Sequence, residues 1–256
     1  MNPVSRVAAL YDIHGNLPAL EAVLDEVSRE GVDRVVVGGD VLGPMQDETL
    51  RRLSALDVPV DCIHGNGERV VLADIAGDDI SEVPERYRAV IHWSAARLDS
   101  THRTWIAGWR SQLCMDIRGF GSVLFCHATP RNDYECFTRL TAEDRLVPIF
   151  SGHGAAVVVC GHTHMPFDRT VGGVRVVNAG SVGAPFSPPA GAYWLLLGGE
   201  EGLTLRRTDY DFTKAAEAVR QTGYPHAEEL CVRYILDPPA EDEMLALFAG
   251  AELKPH

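Results

Sequence analysis

The sequence predicts an α/β layered sandwich in which two packed sheets are flanked by helices. Two observations carry that expectation. Short apolar runs alternate with segments of helical period through the first half of the chain, and consecutive apolar runs dominate the second half.

The first β-α-β unit is the clearest. Arg6–Leu10 (RVAAL) is a short apolar run suited to a buried strand. Leu17, Leu20, Val23, Leu24 and Val27 then recur at helical spacing, with Asn16 as N-cap, Pro18 in the first turn and Gly31 as the stop. Arg34–Val37 (RVVV) is a second buried strand. The alternation continues with a helix near 47–56, a strand at 58–63 and helices near 84–98 and 101–109. Strands follow at 122–126, 155–160, 174–177, 192–197 and 203–207. No repeat or low-complexity linker divides the chain, so residues 1–210 read as one domain. Residues 211–256 (FTKAAEAVRQTGY, then AEDEMLALFAG) read as a C-terminal helical appendage packed on it. Those helices cap the sandwich or form an interface between copies.

Composition narrows the partners. At 46% hydrophobic, 256 residues can bury a substantial core. A formal net charge of -13 offers no basic face to duplex nucleic acid or an anionic membrane. No apolar run approaches the roughly 20 residues of a membrane span. The opening MNPVSRVAALYDIHGN reads as strand, not secretory signal, because Asp12 and His14 interrupt its apolar stretch. Six cysteines without a CxxC pair fit reduced thiols in a cytoplasmic protein.

Five apolar runs end in short polar segments that carry metal-competent side chains. RVAAL leads to Asp12 and His14, RVVV to Asp40, the third strand to Asn66, SVLFC to His127, and AAVVVC to His162 and His164. Ligands in α/β sheets bind outside the carboxyl ends of strands. Each segment alone has a plainer reading: Asp-x-His and Gly-Gly-Asp as caps or turns, His127 as a half-buried structural histidine. His162-Thr-His164 is the stronger signal, since alternate strand-end residues face one side. The five together are much harder to explain as turns. His92, His102, His153 and His226 fall outside this pattern.

In this order, Asp12-x-His14, Gly39-Asp40, Gly65-Asn66, His127 and Gly161-His162-x-His164 resemble the calcineurin-like metallophosphoesterases, and 178–183 (NAGSVG) is similar to a segment of their small bacterial and archaeal members. The resemblance spans about residues 6 to 181 and implies a four-layer α/β/β/α sandwich of two mixed sheets. It also implies two divalent transition-metal ions. One would be held by Asp12, His14, Asp40 and His164, the other by Asp40, Asn66, His127 and His162, with Asp40 bridging and Asp40, Asn66 and His127 catalytic. Mixed nitrogen and oxygen donors suit Mn, placed first, or Fe, Zn, Ni and Co over Ca and Mg. Four metal charges against two carboxylates leave the site about doubly positive, so it attracts a small phosphate ester although the chain is acidic. The expected nucleophile is a bridging hydroxide, and the expected activity that of a phosphodiesterase or phosphatase.

One position departs from the family pattern. Where many members carry Gly-Asn-His, this chain has Gly65-Asn66-Gly67, and glycine donates no proton to a leaving group. Phosphodiesters or esters with stable leaving groups are therefore expected. His64 is a candidate substitute acid against its plainer reading as a packed strand-end histidine, and Arg131 a candidate phosphate contact against a solvated loop arginine. Asn16, His64 and Arg131 complete the expected substrate contacts. Two other classes compete: a scaffold on the same fold that has lost catalysis, and a structural zinc site using Cys126 and Cys160.

Overall fold

The computed structural model describes residues 4–200 and 202–253. Among the described residues, ten strands form two five-stranded mixed sheets. The first begins with β1 (Arg6–Leu10), α1 (Leu17–Glu30), β2 (Arg34–Val37), α2 (Gln46–Ser54) and β3 (Val60–Cys62). β1, β2 and β3 run parallel, in register Val7 to Arg34 and Val35 to Val60. Helices α3 (Asn66–Ala76), α4 (Glu85–Arg97) and α5 (Ser100–Ala107) lead to the second sheet. That sheet contains β4 (Gln112–Ile117), β5 (Gly121–Cys126), then after α6 (Glu143–Phe150) β6 (Val157–Cys160), β7 (Phe167–Val171) and β8 (Val174–Asn178). β5, β6 and β8 are parallel neighbours, with β4 and β7 antiparallel at the two edges. The chain then returns to the first sheet as β9 (Ala192–Gly198), antiparallel to β1, and β10 (Leu203–Thr208).

Side-chain alternation along β1 explains the layering. Val7, Ala9 and Tyr11 face the second sheet and pack with Phe125, Val157, Val159 and Val177. Ala8 and Leu10 face the other way, against Leu20, Val23 and Leu24 of α1. Leu124, Val158 and Val176 cover the outer face of the second sheet beneath Leu146, Ile149 and Phe150 of α6. Three apolar layers thus separate four layers of structure. Each fully buried valine or leucine contributes about 1.5–3 kcal/mol, and apart from Arg6 and Arg34 every residue of β1, β2 and β6 is buried and apolar. Asn16 caps α1 as expected, its Oδ1 accepting the Ala19 N–H at 3.3 Å, and Gly31 closes it with φ 59°.

Four elements of residues 1–210 have no counterpart in the sequence reading: α3, β4, α6 and β7. β4 and β7 are edge strands with polar residues interleaved (QLCMDI, FDRTV), so their apolar signal is weak. α6 is two turns long and contains Pro148. α3 begins inside the Gly65-Asn66-Gly67 segment that reads as a turn.

The C-terminal segment docks in two places. Ala215, Ala216 and Val219 of α7 (Phe212–Gln221) pack with Cys231 and Ile235. The short α8 (Ala227–Leu230) runs into a π-helical stretch, Cys231–Leu236. Met244 and Leu245 of α9 (Glu241–Ala249) pack on Met165 and Phe186. Among the described residues, no helix is long and apolar enough to cross a membrane.

Candidate metal centre

The carboxyl ends of β1, β2, β3, β5 and β6 deliver Asp12, His14, Asp40, Asn66, His127, His162 and His164. Five of these hold left-handed backbone: φ is 53° at Asp12, 47° at His14, 51° at Asp40, 66° at His162 and 56° at His164. Such a conformation costs a residue with a Cβ about 1–2 kcal/mol. It persists only where surrounding bonds over-determine it, a pattern typical of functional sites. Here the peptide bonds interlock: Asp12 N–H donates to Gly39 O, His14 N–H to Asp40 O, and His162 N–H to Asp12 Oδ2 at 2.8 Å.

The donor atoms converge in two overlapping groups. Asp12, His14 and His164 form one, and Asp12, Asp40 and His127 the other. The Nε2 atoms of His14 and His164 lie 3.1 Å apart, and His127 Nε2 is 3.1 Å from Asn66 Oδ1. Two nitrogens bound at about 2.0–2.1 Å to one ion would be separated by about 2.8–3.0 Å at an octahedral angle and about 3.3–3.4 Å at a tetrahedral one. Tautomers follow from the outer bonds, because a carbonyl can only accept. His127 donates Nδ1–H to Gly38 O at 2.9 Å, His164 Nδ1–H to Ala184 O at 2.6 Å, and His162 Nε2–H to Tyr134 O at 3.1 Å. The remaining nitrogen of each ring is then available to a proton or a metal. Asp12 Oδ1, fully buried, has no hydrogen-bond donor and lies 3.4 Å from His164 Nε2. A buried carboxylate oxygen without a donor, set among imidazole nitrogens, is well matched to a cation, so these residues fit a transition metal.

Electrostatics tell the same story. Burial alone would raise Asp12, yet the His164, His127 and His14 rings outweigh it and hold the carboxyl far below its usual range. Burial and the neighbouring His164 ring push His14 down to about 4, and burial with His127 does the same to His162. Burial also opposes charge on His127 and His164, but the nearby Asp40 and Asp12 carboxylates raise both.

A supporting shell holds the ligand loops. Glu68, wholly buried, accepts backbone N–H bonds from Asp40, Val41, Leu42 and Gly65. Sequence reasoning missed this residue; its signal was a carboxylate three positions after the strand-end Gly65. Asn178 Nδ2 donates to Gly161 O at 2.7 Å and Ser181 Oγ to Asp12 O at 2.7 Å, which gives the NAGSVG segment a physical role. Gly67 N–H donates to Asp40 Oδ1 at 2.8 Å, and a Cβ there would lie 2.9 Å from that oxygen.

The three expected substrate contacts are placed outside the cluster of ligand atoms. Asn16 is buried and its amide donates to Gly183 O at 2.9 Å and Tyr210 Oη at 3.2 Å. His64 bonds to Ile106 O at 2.7 Å, and Arg131 pairs with Glu135. Cys126 and Cys160 lie in the outer core against the Val159 and Val177 carbonyls, and all six cysteines are unpaired.

Comparison with known proteins identifies the family and the fold. Residues 6–197 match the calcineurin-like phosphoesterase superfamily domain, and the chain belongs to that family. The uncharacterised protein MJ0912 of Methanocaldococcus jannaschii is 26% identical over 243 residues, covering 86% of this chain and 94% of that one. The hypothetical protein PH1004 of Pyrococcus horikoshii shares the fold at a TM-score of 0.75 and 20% identity, covering 92% of this chain and 99% of that one. The metallophosphoesterase of Sphaerobacter thermophilus does so at 0.69 and 23%, covering 90% and 98%.

Proposed function

We propose that this protein is a metal-dependent phosphoesterase that favours phosphodiesters, with two divalent ions held by Asp12, His14, Asp40 and His164 and by Asp40, Asn66, His127 and His162. The observation that carries it is the convergence of Asp12 Oδ1, which has no hydrogen-bond donor, with His14 Nε2 and His164 Nε2. When bound, the ions supply Lewis-acid charge and acidify a water for attack on phosphorus. The chain's own contribution is positional. Gly38 O, Ala184 O and Tyr134 O fix three imidazole tautomers, and Glu68 fixes the Asp40 loop. Gly67 offers only its backbone N–H, directed at Asp40, so leaving groups that need no proton are preferred. Manganese is the first ion to test, and the unpaired cysteines favour a reducing cytoplasmic setting.

The test is hydrolysis of bis-p-nitrophenyl phosphate and p-nitrophenyl phosphate by metal-stripped protein after Mn, Ni, Co, Zn or Mg is restored singly. Metal-dependent turnover that is lost in Asp40→Asn, with the diester preferred, is the expected result. Bound metal without turnover of either ester would sink the proposal in favour of a scaffold.

A further inference from the structure

A second cluster of metal-competent side chains shares no residue with the metal centre. It joins Asp47, in the first turn of α2, to Asp99 and His102, at the start of α5. His102 stands outside the strand-end pattern of the sequence. Its side chain is 9% exposed, and its Nδ1 lies 3.0 Å from Asp99 Oδ2 and 3.5 Å from Asp47 Oδ1. Neither Nδ1 nor Asp47 Oδ1, both shut off from solvent, has a hydrogen-bond partner. Buried polar atoms are normally paired, so two unpaired ones that face each other call for a common explanation.

Helix capping explains one oxygen of the cluster. Asp99 Oδ1 accepts the His102 N–H at 2.8 Å as the N-cap of α5, while Oδ2 faces the ring. Helix α2 has no side-chain cap bond, so capping does not explain Asp47. An ion pair explains the rest poorly. A proton on Nδ1 serves one oxygen at a time, and the 3.0 Å approach to Asp99 is not aligned for that bond. Arg51, one turn along α2, turns its guanidinium to Asp47 O and Glu48 Oε1, both at 3.2 Å, and so leaves the two carboxylates facing the imidazole.

We propose that Asp47 Oδ1, Asp99 Oδ2 and His102 Nδ1 hold a divalent transition ion of the zinc type, at a site separate from the metal centre. Bonds of about 2.0–2.2 Å to such an ion place its ligand atoms about 2.8–3.1 Å apart at an octahedral angle and about 3.3–3.6 Å apart at a tetrahedral one. The two separations from Nδ1 span those values. The Asp47 and Asp99 side chains are 32% and 52% exposed, so water reaches the ion to complete its shell. The positive ends of α2 and α5 oppose a cation, and two carboxylates offset them. Those carboxylates also balance the charge of the ion. The site therefore keeps no excess charge for a phosphate, and its role is to tie α2, which follows the Asp40 loop, to α5.

The experiment dialyses metal-stripped full chain against micromolar free zinc and measures zinc per chain by atomic emission. Wild type should hold one zinc more than Asp47→Asn/Asp99→Asn, which keeps both side-chain shapes and the α5 cap. The difference cancels whatever the metal centre holds, so the result is independent of the phosphoesterase reading. Asp47→Asn alone, the milder variant if the double one does not fold, should weaken the extra ion about tenfold or more, since losing even a supporting bond to a ligand costs that much. Anomalous diffraction at the zinc edge from zinc-loaded crystals should show a peak within bonding distance of His102 Nδ1. Equal zinc content in wild type and both variants, or anomalous peaks at the metal centre alone, overturns the proposal and leaves His102 an ion-paired core histidine. Magnesium at the same concentration should not displace the ion, because a nitrogen donor suits it poorly. Displacement would reject His102 as a ligand.

Discussion

Glu68 and Asp40 are joined through the backbone: Glu68 Oε2 accepts the Asp40 N–H at 2.8 Å and the Gly65 N–H at 2.9 Å, while Oε1 takes Val41 and Leu42. One buried side chain thereby locks the loop after β2 to the start of α3. Burial and the Asp40 charge raise the Glu68 carboxyl, and the backbone donors pull against them. Glu68→Ala leaves several buried N–H groups without an acceptor, at about 1–3 kcal/mol each. The expected outcome is a loss of about 3 kcal/mol or more in urea unfolding of metal-free protein, and metal binding weaker by about 10- to 100-fold in calorimetry. Wild-type metal affinity in that variant would show that the clamp does not position Asp40.

Gly161 admits no side chain. A Cβ there would stand 2.4 Å from Asp12 Oδ2 and 2.6 Å from Tyr11 Cδ1, and its backbone needs no left-handed φ, so the obstacle is contact alone. Gly161→Ala must displace the Asp12 carboxylate that the His162 N–H holds. Metal affinity should fall about tenfold or more, by the sensitivity of ligand positioning, with an unchanged far-ultraviolet dichroism spectrum. Gly31→Ala is the contrast. It sits at φ 59° with open space around it, so it should cost about 1 kcal/mol in the α1 cap and leave metal binding alone.

Much of this arrangement was legible in the sequence because strand ends are short and strongly marked. RVAAL, RVVV and VVVC are apolar on both faces, and the polar residues that follow them stand out by contrast. The seven candidate ligands were named from those ends. Glu68 was not, because its role lies in which N–H groups surround it, and three of the four come from the loop after β2, which tertiary folding brings to it. The docking of the tail was equally hidden. Phe186 and Tyr234 are 48 positions apart, counting from their numbers, and nothing in either neighbourhood predicts their ring contact.

Acid stability offers a separate test at the base of the first sheet. The Asp33 carboxylate accepts the Ser5 N–H at 2.7 Å, the Ser5 hydroxyl at 2.8 Å and the Arg6 N–H at 2.9 Å, and these bonds, led by the Ser5 backbone, lower its pKa. A depressed carboxyl contributes stability that is present above its unfolded value near 3.9 and is lost as pH falls through the lower folded value. Asp33→Asn should therefore lower the thermal midpoint at pH 6, and the gap to wild type should narrow below about pH 4. A gap that stays constant down to pH 3 would mean that the charge of Asp33 is irrelevant.

The strained ligand backbone predicts a trade between stability and metal binding. His14 sits at φ 47°, and its side chain is 28% exposed, so its ring adds little to the core. Replacing it with glycine removes about 1–2 kcal/mol of left-handed strain and adds a smaller unfolded-state entropy cost of about 0.4–1 kcal/mol. Metal-free His14→Gly should consequently match wild type or exceed it by about 1 kcal/mol, a rise of about 2–4 °C in the thermal midpoint for a chain of this size. Added manganese should stabilise wild type by about 2.7 kcal/mol at one hundred times its Kd, and the variant much less, because His14 is one of the converging candidate ligands. Differential scanning fluorimetry with and without the ion reads both arms. A variant that is less stable without metal, yet gains as much from metal as wild type, would show that His14 serves packing and not the ion.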